Sequence, residues 1–349
     1  MADNYGKKLI LLFILFFGVS INSLCLGDEA RDYFMKGYAY ININQPDEAI
    51  DLLSKAIALS PAYAAAYRER GFAYYLKSMH LKAIIDFRQA IELNSQDALA
   101  WNNLGLAYHA MRLVTLSKQA INNAIDLSDD YSQAHLNLAH IYWLEGETDI
   151  FSNEILSKIR YHLKEYVRLT PDANANKEVQ KKIRWVDERI ESGNVIVTAE
   201  EEANANLTEK NMSQTKKWVH DKFPEDLLEK EHITLGVMFL RGEFLKPAIG
   251  EFEKVVALNP ENANAFMILG AIHLKMGNHN QAIRNYAAAL TINPKSEEST
   301  FGLGKAYLYD DNILKAKQQI QILKQENSML GSTLEEEIEA ANKSKEKTE

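Results

Sequence analysis

Cysteine is almost missing from this chain: Cys25 is the only one in 349 residues. Intrachain disulfides and cysteine-built metal centres are therefore excluded in any compartment. Basic charge is also short. With 39 Lys and Arg against 48 Asp and Glu the formal charge is −9, and no basic stripe is present of the kind that displaces counterions from phosphates, so nucleic acid is excluded as a partner. Long apolar runs are absent apart from one near the start, which rules out a polytopic membrane protein. Also missing are G-x-S-x-G, H-E-x-x-H and any phosphate-cradling glycine loop, and with them the motif-level signs of catalysis. The reading is of a non-enzyme without a cofactor or metal. Proline is scarce too, seven in all, and its placement marks the ends of helices.

The one apolar run belongs to residues 1–27. Lys7 and Lys8 precede Leu9 to Val19, Ser20, Asn22 and Ser23 break the run, and Asp28 and Glu29 open a polar stretch. That order is the shape of a secretory signal, with cleavage expected after Gly27. Two other readings stay open: an inner-membrane anchor retained over residues 9–26, and acylation of Cys25, against which the bulky Leu24 counts. All three place the remainder outside the cytoplasm, in the periplasm or cell envelope, with membrane contact only through this segment.

Beyond residue 27, internal spacing is the strongest feature of the chain. Gly37, Gly71 and Gly105 stand 34 residues apart and Ala139 continues the series. Three residues on come Tyr40, Tyr74, Tyr108 and Tyr142; four residues before come Tyr33, Tyr67, Trp101 and His135. Ala49, Ala83 and Ser117 follow at a fixed distance, then Leu53, Phe87 and Ile121 at helical spacing. Small residues let two antiparallel helices approach closely while the large neighbours fill the space beside them, so each unit is expected to be a helical hairpin. Pro46 and Pro247 fall where a second helix would start, and Pro61, Pro171, Pro260 and Pro294 where one would end. A second run repeats the scheme at Gly236, Gly270 and Gly304, with Ala248, Ala282 and Ala316 at the close-packing position.

The pattern resembles the tetratricopeptide repeat, with its W-x2-L-G-x2-Y, A-x3-F and closing proline. The expected fold is all-α, a right-handed α-solenoid of about seven hairpins in two blocks. Four repeats would occupy 28–171, a capping helix 172–193, a linker 194–228, three further repeats 229–330, and a cap with a charged tail 331–349. In the fourth repeat the closing Pro171 stands eight residues late, and Glu145 to Asn153 is the expected place of the extra length, as a surface loop, a lengthened helix or a loop that contacts a partner.

The resemblance also implies where binding would occur. First helices of such repeats line a concave groove, which would carry Phe34, Tyr38, Arg68, Phe72, Tyr75, Asn102, Leu106, His109, His140 and Trp143, with Asn103 and Asn137 at the places where some relatives grip a peptide backbone. Such an aromatic face suits a peptide or helix of a partner protein. His109 and His140, without a third ligand, read as structural or peptide-contacting. The corresponding face of the second block is apolar, with Ile233, Val237, Leu240, Met267, Leu274 and Phe301, and would be filled by the linker, by a second copy through repeats five to seven, or by a partner helix. The expected role is a protein-protein scaffold or adaptor in the cell envelope; the alternative is a regulatory subunit that controls an envelope enzyme such as a hydrolase or protease.

Overall fold

The structure is a computed structural model that describes residues 21–148, 151–170, 177–192, 225–326 and 328–346. The expectations for the apolar run at 9–19, for Pro171 and for most of the linker lie outside the described residues. Among those described there are sixteen α-helices and no strand. The chain divides into two compact units, Met1–Phe223 and Pro224–Glu349.

Unit 1 pairs its helices in chain order: α1 (Ile21–Asn42) with α2 (Pro46–Leu59), α3 (Ala64–Leu76) with α4 (His80–Leu93), α5 (Ala98–Ala110) with α6 (Val114–Leu127), and α7 (Ser132–Thr148) with α8 (Asn153–Leu169). A ninth helix, α9 (Lys177–Glu191), packs on α8 through Val179, Ile183 and Val186. Unit 2 pairs α10 (Glu225–Arg241) with α11 (Leu245–Leu258), α12 (Ala263–Lys275) with α13 (His279–Ile292), and α14 (Glu297–Tyr309) with α15 (Ile313–Gln325). Helix α16 (Met329–Glu346) lies against both α14 and α15. Seven hairpins in two blocks is the fold expected from the glycine spacing.

Glycine sets how close the two helices of a hairpin lie. A Cβ on Gly71 would stand 2.9 Å from the Phe87 ring, and one on Gly37 2.7 Å from Leu53 Cγ. In unit 2 the same step brings Gly236 onto Phe252 and Gly270 onto Tyr286. Ser117 does more than stay small, because its hydroxyl donates to the Gly105 carbonyl at 2.7 Å.

The turn inside each hairpin is built the same way six times. Asn44, Ser78, Arg112, Glu243, Gly277 and Asp311 all take positive φ, between 56° and 75°. The next residue's N–H then reaches back five positions, as in Gln45 to Tyr40 O (2.9 Å), Met79 to Tyr74 O (2.9 Å) and Leu113 to Tyr108 O (3.0 Å). This is the left-handed C-terminal motif that satisfies otherwise orphaned carbonyls. The recurring aromatic three residues after the glycine is thus also the acceptor that closes the helix. At the opposite helix ends, Asp97, Ser152 and Asn262 cap α5, α8 and α12 by accepting a backbone N–H three residues on.

The fourth hairpin departs from this scheme. Helix α7 has 17 residues against 13 in α3 and α5, and α8 has 17 against 14 in α4 and α6. The eight additional residues therefore go mainly into longer helices. Gly146, where the other units reverse, stays inside α7 and lies against Phe151.

Candidate functional site

Within unit 1 successive first helices touch one another, α1 on α3, α3 on α5 and α5 on α7, while second helices make no comparable contact with each other. The stack therefore curves toward its first helices, and side chains on their free faces line the inner surface.

The twelve residues singled out by the sequence all stand on first helices of unit 1 and fall into three groups by burial and contacts. An open aromatic wall comes first. Phe34 stacks on Tyr38 at 6.4 Å between ring centroids, Phe72 stacks on Tyr75 at 6.4 Å, and Phe34 also meets Tyr63 at 4.9 Å. Tyr38 is 43% exposed, Phe72 and Tyr75 are half-buried, and Met35 beside them is 55% exposed. Farther along, Leu106 is half-buried and His109 faces the exposed His140 at 6.3 Å. Burial first, then the neighbouring His140 and Arg112, hold the His109 imidazole below its ordinary pKa. Burial and Lys182 do the same to His140, with Glu147 working against them.

The second group is polar and already engaged. Asn102, only 2% exposed, accepts from Asn137 Nδ2 at 2.9 Å and donates to Asn103 at 3.4 Å; Gln133 donates to Asn137 at 3.1 Å. Arg68 reaches Asp97 at 2.6 Å and Glu69 at 3.0 Å. Burial opposes the guanidinium charge, but Glu69 and Asp97 outweigh it and raise the Arg68 pKa. Burial lifts Glu69 in turn, against the pull of Arg68. These side chains bind repeats two, three and four to each other, and a ligand would have to trade those bonds for its own.

Trp143 forms the third group. Its ring lies 4.8 Å from Trp185 of α9 and 5.6 Å from Phe151, and Phe151 and Trp185 are 4.9 Å apart. Its indole N–H donates to Glu147 at 2.7 Å, and Lys182 lies over the ring at 5.2 Å. These rings pack on one another too tightly to admit a guest, so they close the far end of the groove. Sequence reasoning missed Phe151 and Trp185 as parts of this face. The available signal was Trp185 itself, an aromatic set between the buried Ile183 and Val186 of an otherwise charged helix.

In unit 2, Met267, Leu274 and Phe301 pack against the cores of their own repeats, and Leu308 is buried. Lys305 lies over Phe301 at 5.4 Å and pairs with Glu337 of α16 at 3.0 Å. Part of the apolar surface expected there is thus internal to the unit. Among the described residues no group of three or more His, Cys, Asp or Glu could hold a metal ion, and no helix is long and apolar enough to cross a membrane.

Residues 37–78 and 82–111 match the family described as TPR repeat, and residues 98–131 and 263–296 the family described as tetratricopeptide repeat. No curated protein matches the chain. Among solved structures it is similar to the first TPR of Spaghetti (RPAP3), bound there to the HSP90 peptide SRMEEVD, at 23% identity over 34% of this chain and 95% of that one, with a TM-score of 0.33. It is similar to MamA at 25% identity over 40% and 79% of the two chains, with a TM-score of 0.36. Likeness to the Pseudomonas aeruginosa protein pilF is 14% in identity, covers 78% of this chain and 96% of that one, and has a TM-score of 0.37. The chain carries tetratricopeptide repeats, in both of its units.

Proposed function

We propose that this protein is a non-catalytic scaffold that holds a peptide or helical segment of another protein in the groove of unit 1, and that it does so in the periplasm or cell envelope. The observation that carries the reading is the aromatic wall of Phe34, Tyr38, Phe72 and Tyr75, in which Tyr38 is exposed and the other three rings are half-buried. Apolar rings in that setting supply large contact area for little rotamer entropy. The wall continues through Leu106 to His109 and His140 and stops at the Trp143 cluster, so the binding segment spans repeats one to three and the edge of repeat four. The amide row Asn102, Asn103 and Asn137 runs beside it, and a bound main chain would have to replace bonds that these side chains make to one another and to Gln133.

Export is carried by Lys7, Lys8 and the short apolar run after them, and the mature chain would begin at Asp28. One experiment addresses both parts. A photo-reactive residue in place of Tyr38 should capture a partner in intact cells, whereas the same residue at Lys82, exposed on α4, should not. The recovered chain should start at Asp28. Equal capture from both positions would remove the groove from the account, and an intact Met1 on material from the cytoplasm would remove the export.

A further inference from the structure

Three of the four first helices in unit 1 place an aromatic ring four residues before the small packing residue, namely Tyr33, Tyr67 and Trp101. The fourth places His135 there, and that ring meets another imidazole. His135 Nδ1 lies 2.9 Å from His162 Nδ1, with the two residues 2% and 1% exposed. Two neutral imidazoles share such a bond only when one of them carries its proton on Nδ1. The backbone of Asp129 is a further hydrogen-bond neighbour of His135.

The surroundings offer little to a second proton. Tyr142 of α7 stacks on His162 at 5.9 Å, and Tyr161 of α8 meets His162 at 5.0 Å and His135 at 6.2 Å. Helix α9 adds the apolar side chains Val179, Ile183 and Val186 to the same core. Lys158 of α8 raises the cost of charge at His162, and both it and Lys118 of α6 lie over the neighbouring Tyr142 ring, at 5.3 and 5.0 Å. Around His135 stand Glu165 and Arg168 of α8, bonded to each other at 2.7 Å, and Asp129 ahead of α7. One added proton leaves the bond between the rings in place as N–H⁺···N but makes the pair a buried cation. With two, a pair of N–H groups would point at each other.

We infer that the His135–His162 pair is an acid-operated latch: neutral, it joins α7 to α8; protonated, it lets the fourth hairpin open together with the α9 that rests on it. Burial pulls both pKa values below the ordinary value, His162 furthest. Folding therefore favours the neutral rings. Their contribution is complete above the ordinary pKa of about 6.5 and is lost as pH falls below it, because the open form then binds more protons. Unit 2 supplies an internal contrast. His232 occupies the same place, four residues before Gly236, but its Nδ1 lies 2.8 Å from Oε2 of the buried Glu251. A carboxylate offsets the charge of a protonated ring; a second buried imidazole does not.

The test is amide hydrogen exchange on the full chain at pH 7.5 and 5.5, with protection factors corrected for intrinsic exchange. Helices α7 to α9 should lose at least about tenfold in protection relative to α1 and α2, which hold no histidine, since one site with an ordinary pKa near 6.5 gives about that factor. His162→Gln keeps an N–H for His135 but takes up no proton, and His135→Tyr restores the ring of the other repeats; at least one of them should blunt the loss. Equal changes in protection along all these helices would overturn the proposal. So would an acid response that survives unchanged in both variants, since it would then belong to other histidines such as His140.

Discussion

At the scale of single residues, packing follows from the 34-residue spacing with little left over. Gly71 was readable as a point of close approach because its neighbours recur around Gly37 and Gly105, and Phe87 is the side chain that meets it. Gly71→Ala should therefore lower stability by ~1–3 kcal/mol through overpacking. Lys82→Ala, one position before the buried Ala83, should stay within about 0.5 kcal/mol. Urea unfolding of the two variants checks this, and equal midpoints would mean that the helix faces are misassigned. Other residues were not legible. Of the six left-handed turn positions, Asn44, Gly277 and Asp311 are of types that favour positive φ, whereas Ser78, Arg112 and Glu243 give no such sign and are held there by the motif around them. The ion pair of Arg70 with Asp86, at 2.7 and 2.8 Å within the second hairpin, was equally invisible, since many charged pairs in the sequence could be drawn and only packing selects one.

At the scale of elements, the six regular hairpins follow from local pattern, and the fourth shows where pattern stops. Eight extra residues were visible in the late Pro171, but whether they form a loop or extend helices depends on what the added turns can pack against. Longer α7 and α8 carry Trp143 and Phe151 to where α9 brings Trp185, and the three rings bury each other. Trp185→Ala should accordingly lower the stability of the fourth hairpin and α9 by up to ~3 kcal/mol, less than a fully buried ring because the site is partly open. Thermal unfolding followed by fluorescence in a background with Trp101 and Trp218 changed to Phe, so that Trp143 alone reports in the variant, would show this as an early transition. An unchanged curve would mean that α9 is held by its apolar face alone.

At the scale of the whole molecule, each unit repeats one plan, in which every hairpin leans on the next and the end helix of the stack, α9 or α16, contributes apolar side chains to the core. Such stacks bury a continuous core only by adding neighbours, which is why the fold was legible from a short motif repeated at a fixed interval. The site was legible in part. First-helix residues were placed on the inner face by resemblance, but their states differ: Tyr38 and His140 stand open, Asn102 and Arg68 are engaged with neighbours, and Trp143 is covered. Those differences arise from contacts between repeats and have no counterpart in the spacing within one.

The central claim, that the open aromatic wall is where a partner protein is held, is tested most directly by the double variant Tyr38→Ala/Tyr75→Ala. Its affinity for the partner captured from position 38 and its unfolding curve should be measured on the same preparation. A groove predicts binding weaker by ~2 kcal/mol or more in a protein whose helix content and unfolding midpoint stay close to the parent's, because Tyr38 is exposed and Tyr75 half-buried. Unchanged affinity in a folded double variant, or a loss of binding that only tracks a loss of fold, would contradict the account.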